Sequence, residues 1–139
     1  MRNAVWIVLA VLLALTACGA LSCGELVLPD PEDLERAAVT GGGLNWTATD
    51  AGAIAGLVEA LEQAAGNTRR ASVQDVPSGG TGLVRIDFYF KGGGASAAFL
   101  YWEDGVLLFE QPYQGIYEMD GALEERLQAV LEKTNEQER

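Results

Sequence analysis

Between Leu83 and Phe109 the chain alternates with a period of two, and no other stretch restricts the fold so tightly. Val84, Ile86, Phe88 and Phe90 interleave with Arg85, Asp87 and Tyr89, the pattern of a strand that buries one face. Lys91-Gly92-Gly93-Gly94 breaks the pattern, a second β-rich run follows from Ser96 to Trp102, Asp104-Gly105 turns the chain, and Val106 to Phe109 returns. Three strands in succession predict a meander. Asp-Gly between apolar runs predicts a type I′ hairpin turn, because that turn needs positive φ at both central positions.

The flanking segments supply the other elements. Leu34 to Thr40 and Leu44 to Thr49 bracket Gly41-Gly42-Gly43 and read as a hairpin, with Leu44, Trp46 and Ala48 on one side. A phosphate-cradling loop would need a preceding strand, a following helix and usually Lys-Ser/Thr, so these glycines are read as a turn. Thr49 or Asp50 caps a helix through Ala65, with Ile54, Leu57, Val58 and Leu61 on one face and Gly66 as its end. Arg69 to Val76 predicts a further strand and Pro77 to Gly80 a loop. From Glu110 to Tyr117 the proline and glycine argue against a regular central strand. Asp120 caps a last helix with a stripe of Leu123, Leu127, Val130 and Leu131, and Thr134 to Arg139 is expected to fray. Two helices with separate apolar stripes need a sheet face to cover. The expected fold is therefore two-layer α+β, with a mostly antiparallel sheet of five to six strands: N-terminal hairpin, helix, β-meander, C-terminal helix.

Charge and cysteine content exclude several function classes. The 139 residues carry 9 Lys plus Arg against 20 Asp plus Glu, a formal net charge of −11. Such a surface repels phosphate backbones and anionic head groups, so no nucleic-acid partner is expected. The chain has no histidine, which removes Ser-His, Cys-His and His-ligated metal chemistry. Neither a cofactor nor a metal site is implied. Cys18 and Cys23 lie too close together to close a long loop and too few to hold a structural zinc.

The cysteines have another use. Met1-Arg2-Asn3 is a short positive start, Ala4 to Leu15 is almost wholly apolar, and small residues follow. This is the layout of a secretory leader, too short for a comfortable membrane span. Leu15-Thr16-Ala17-Cys18-Gly19 matches a bacterial lipobox, in which the thiol of Cys18 takes a diacylglycerol group and cleavage falls just before it. An ordinary signal peptide or an uncleaved anchor is the alternative. Acyl chains at about 0.8 kcal/mol per buried methylene hold a protein on a membrane without any lipid affinity in its folded part. The expected organisation is a leader over 1–17, a tether over 18–31 and one α+β body over 32–139.

Ile86-Asp87-Phe88, Phe99-Leu100-Tyr101, Glu110-Gln111-Pro112-Tyr113 and Gly115-Ile116-Tyr117 carry a resemblance. With Cys18 and the segment Glu25-Leu26-Val27-Leu28-Pro29, this pattern resembles a family of small lipoproteins of Gram-positive, clostridial type, a domain of unknown function. The resemblance spans about Cys18 to Leu131, with Gln-Pro-Tyr and Gly-Ile-Tyr its specific motifs. It implies an α/β body lipid-anchored on the extracytoplasmic face of the cell membrane. It implies no activity, so no functional residue is carried over.

Candidate contact residues are Trp102, Gln111, Tyr113, Gln114 and Tyr117, with Tyr89 nearby. Aromatic rings with amide neighbours stack on sugar or peptide and hydrogen-bond its edges, so a protein or a cell-wall glycan or peptide is the expected partner class. The competing reading packs Tyr113 and Tyr117 against the sheet with their hydroxyls on backbone, and Trp46 and Trp102 in the core. Arg85 and Asp87 share a strand face and are placed to pair with each other or with a neighbouring strand. Two enzyme-like or assembly readings stand beside binding. One is a cell-wall hydrolase using Asp87 or another carboxylate, which needs two acids facing across a cleft. The other is an accessory subunit, which needs an exposed apolar patch.

Overall fold

The computed structural model describes residues 26–137; the leader, Cys18, Cys23 and residues 138–139 lie outside the described residues. Seven strands form one sheet: β1 (Leu34–Gly41), β2 (Leu44–Ala48), β3 (Ala65–Arg70), β4 (Thr81–Phe90), β5 (Ala95–Glu103), β6 (Val106–Gln111) and β7 (Gly115–Met119). Their spatial order is β2-β1-β4-β5-β6-β7-β3, with every neighbouring pair antiparallel. Two helices, α1 (Ala51–Ala64) and α2 (Leu123–Gln137), complete an α+β architecture.

The alternation read from the sequence decides which face is covered. Ile86 and Phe88 of β4, Leu100 of β5, Leu107 and Phe109 of β6 and Tyr117 and Met119 of β7 point to one side. There they form the main core with Ile54, Leu57, Val58 and Leu61 of α1 and Leu123, Leu127 and Leu131 of α2. Asp50 caps α1, its carboxylate accepting the Ala53 N–H at 3.0 Å, which satisfies one of the unpaired donors of the first turn. The two helices meet where Gly56 faces Val130. The opposite face carries a smaller cluster of Phe99, Tyr101, Leu108 and Ile116.

The hairpin, the capped helix and the meander lie where the sequence places them. Asp104 and Gly105 have φ of 52° and 76°, as a type I′ turn requires. The sheet has seven strands rather than five to six, because Pro112 does not interrupt it. Pro112 occupies the second position of a turn closed by Gln114 N–H to Gln111 O at 3.0 Å, where a missing N–H costs nothing. Gly115 then opens β7 directly opposite Gln111.

The strand expected over Arg69 to Val76 also moves. Ala65 leaves α1 in an extended conformation and pairs at once with Met119, so β3 begins at the helix end and Gly66 lies inside it. At the other terminus α2 runs to Gln137 instead of fraying from Thr134, whose hydroxyl donates to Val130 O at 3.1 Å. Within the expected tether, Leu26 and Leu28 already pack against the main core.

Because β3 is at one sheet edge and β4 near the middle, residues 71–80 must cross the sheet on the face opposite the helices. This strap runs over β7, β6 and β5, and it defines the site described next.

Candidate functional site

Glu110 lies beneath the strap. Alternation along β6 turns Val106, Leu108 and Glu110 to the strap side, and Glu110 is fully buried. Ser72 Oγ donates to its Oε1 at 2.6 Å, Gln74 Nε2 donates at 3.1 Å, and Tyr101 Oη donates to Oε2 at 2.8 Å. All three donors are neutral. Bonds to a charged group contribute roughly 1.5–3 kcal/mol each, which offsets a desolvation penalty of several kcal/mol for a buried carboxylate. The carboxylate thus fixes where the strap lies. Burial, then the hydrogen bond and charge of Glu110, push the Tyr101 hydroxyl well above the usual tyrosine range.

The strap's far end is shaped by close approach. A Cβ on Gly80 would stand 2.6 Å from the Tyr101 ring and 2.7 Å from Trp102 O, so only glycine lets the backbone rest on β5 here. Ser72 is itself buried and donates into the carboxylate, so the pair is a latch and not a nucleophile open to substrate.

Above this buried network the surface is apolar and exposed. Tyr113, third residue of the β6–β7 turn, has φ of 59° and is 65% exposed. The Asp75 carboxylate of the strap lies near the Tyr113 hydroxyl and pushes its pKa above the usual tyrosine range. Val73 and Val76 of the strap are 82% and 49% exposed, and Gln114 is exposed beside Tyr113. A non-glycine residue in the left-handed region costs on the order of 1–2 kcal/mol, and such strain gathers at functional positions.

The other sequence candidates divide between surface and core. Tyr117 is buried in the main core. Gln111 is also buried, donating through Nε2 to Val27 O at 2.9 Å while its Oε1 has no partner. Trp102 is half-buried; its Nε1 donates to Glu124 at 2.8 Å. Glu124 and Gly82, against which Trp102 packs, help line an apolar pocket of about 180 Å³ with Leu44, Val84, Leu100, Leu107 and Leu127. Tyr113 and Gln114 thus share a surface with Val73 and Val76, whereas Trp102, Gln111 and Tyr117 lie elsewhere. Arg85 pairs with Asp87 at 3.0 Å, and Arg36 stacks on Tyr89 at 3.9 Å. Among the described residues no three carboxylate or thiol side chains cluster as a metal site, and no helix is long and apolar enough to cross a membrane.

The sequence reading missed Ser72, Gln74 and Glu110. A usable signal existed: a glutamate in step with Val106 and Leu108 on the inward parity of a strand must find donors or be excluded.

A family model described as a domain of unknown function (DUF5300) matches residues 25–118. The chain belongs to this family, DUF5301. The DUF5301 match takes in all seven strands except the last residue of β7, together with the strap, and ends before α2. It begins at residue 25, next to the Leu26–Leu28 segment that packs on the core. Comparison with curated proteins and with solved structures finds no match.

Proposed function

We propose that this DUF5301 protein is an extracytoplasmic lipoprotein, anchored at Cys18, whose folded body is a non-enzymatic binding domain. Its contact surface is the strap and the β6–β7 turn. The observation that carries this reading is Tyr113: an exposed aromatic residue held with positive φ, beside exposed Val73 and Val76. Exposed apolar side chains grouped on a rigid support mark interaction surfaces, and the latch on Glu110 supplies the support. A tyrosine ring with the Gln114 amide beside it suits a protein or a cell-wall glycan or peptide. The lipobox at Leu15 to Cys18 and the preceding leader support the anchor.

A hydrolase using carboxylates has less support. Glu110 is closed off from solvent, and Asp87 accepts from Arg85 through both oxygens.

The test is site-specific photo-crosslinking in living cells, with a photoreactive phenylalanine at position 113 and, as control, at Glu59 on the opposite face. A discrete adduct from position 113 alone, in the membrane fraction, and release of the protein from membranes by Cys18→Ala are the expected results. Identical adducts from both positions, or none, would overturn the contact surface; unchanged membrane association of the Cys18 variant would overturn the anchor.

A further inference from the structure

A second surface lies at the other end of the sheet. Among the described residues β2 is outermost, with β1 on one side and no strand on the other. The β1–β2 hairpin closes through the two-residue turn Gly42-Gly43 and pairs without a register shift from Gly41↔Leu44 to Ala37↔Ala48. In an antiparallel pair closed this way Leu44, Trp46 and Ala48 exchange backbone hydrogen bonds with β1, while Asn45 and Thr47 direct their N–H and C=O groups outward. Both of those residues are exposed.

Proteins usually blunt such an edge with lysine, proline or a bulge. The sequence Leu-Asn-Trp-Thr-Ala has none of these. The opposite edge, β3, is broken by two register shifts and ends in Arg70, ion-paired to Glu103 at 3.0 Å. The difference between the two edges needs a reason.

Beside β2 runs a groove of about 300 Å³ lined by Leu44, Asn45, Trp46, Gln128, Leu131 and Glu132. A strand added to β2 sends alternate side chains toward the helix layer, over this groove. Trp46 is 5% exposed, yet its Nε1–H has no hydrogen-bond partner. Buried indole donors are normally satisfied, so an acceptor brought into the groove would complete it.

We propose that the β2 edge and its groove bind an extended peptide segment of a partner protein, one with an apolar side chain and, two positions before or after it on the same face, a lysine or arginine. The apolar side chain sits between Leu44, Trp46 and Leu131, the peptide backbone pairs with Asn45 and Thr47, and the basic residue meets Glu132. Charge selects this occupant over a second copy of the chain: a net charge of −11 opposes self-association and favours a basic partner. The inference is independent of the Tyr113 surface.

The test takes the purified full-length protein in detergent micelles and a displayed random heptapeptide library as probe. The expected result is enrichment of sequences with an apolar residue and a Lys or Arg two positions away from it. A synthetic enriched peptide then shifts the amide resonances of Asn45 and Thr47 and the indole resonance of Trp46. Thr47→Pro removes an outward N–H where an edge strand tolerates proline, and it should weaken the peptide at least about tenfold. Glu132→Lys, a surface change on α2, should weaken it while leaving the fold intact, and decides the matter if the proline variant unfolds. Four outcomes overturn the proposal: no enrichment; binding unaffected by either substitution; a wild-type dimer that Thr47→Pro dissociates; or Asn45 and Thr47 amides already protected from exchange in the protein alone.

Discussion

Tyr101 and Glu110 are diagonal neighbours on β5 and β6, and the tyrosine hydroxyl donates to the carboxylate at 2.8 Å with both side chains buried. Ser72 and Gln74 bring the strap to the same carboxylate from above. One acidic group therefore joins two strands of the sheet to the segment that crosses them, and its removal has a defined signature.

Glu110→Ala should destabilise the fold by about 2–5 kcal/mol, since it leaves two buried hydroxyls without their acceptor and opens a cavity. Glu110→Leu combined with Ser72→Ala and Tyr101→Phe should recover much of that loss, because replacing the carboxylate and both buried hydroxyls by apolar groups removes the unpaired buried donors, and the half-buried Gln74 amide can turn to water. Urea unfolding of the series measures both. Equal destabilisation of the single and triple variants would contradict the latch.

Stability should fall above the usual tyrosine pKa of about 10. The folded-state hydroxyl of Tyr101 is raised by burial and by Glu110, so above that pH the unfolded chain has released a proton that the folded chain still holds. The slope is about 1.4 kcal/mol per pH unit, and the contribution is fully present below the unfolded value. Tyr101→Phe should flatten this alkaline slope while lowering stability at neutral pH by about 1–2 kcal/mol. Denaturation midpoints at pH 8, 10 and 11, chosen to straddle the tyrosine range, check the sign.

Two glycine substitutions separate close approach from conformational strain. Gly80→Ala would force a methyl group to 2.6 Å from the Tyr101 ring and should cost about 3 kcal/mol or more. Gly93→Ala has positive φ but nothing within 4 Å, so about 1–2 kcal/mol is expected from strain alone. Thermal melts that rank the two in reverse order would refute the strap's contact with β5.

Gln111 fastens the start of the body. Gln111→Leu removes its bond to Val27 O and also its unpartnered Oε1, so global stability should change by only about 1 kcal/mol. The segment at Leu26–Leu28 should nevertheless become cleavable, and limited proteolysis with N-terminal sequencing detects it.

The elements that the sequence made legible were those with strong local signals. Period-two alternation from Val84 to Phe90, the Asp104-Gly105 turn and the apolar stripe of α1 each specify a structure within a few residues. What stayed hidden depended on distant partners. β7 was obscured because Pro112 and Gly115, read locally, look like breakers, and only pairing with β6 shows that they bound a turn. β3 was displaced because its few apolar residues reflect an edge position and not a loop. Tyr113 and Gln114 were legible as surface candidates, whereas Gln111 and Tyr117 belong to the opposite parity, which no spacing near a turn reveals. Glu110 was overlooked because twenty acidic residues make any one of them look like solvated surface.

Helix α1 carries the chain to the β3 edge over one face, and residues 71–80 bring it back over the other. β5, β6 and β7 are thus sandwiched by a clasp that precedes them in the chain. Strands made later must enter between segments made earlier, and their contacts close large loops. Assembly should be slow and strongly cooperative, with the C-terminal meander acting as the key that locks an otherwise open ring.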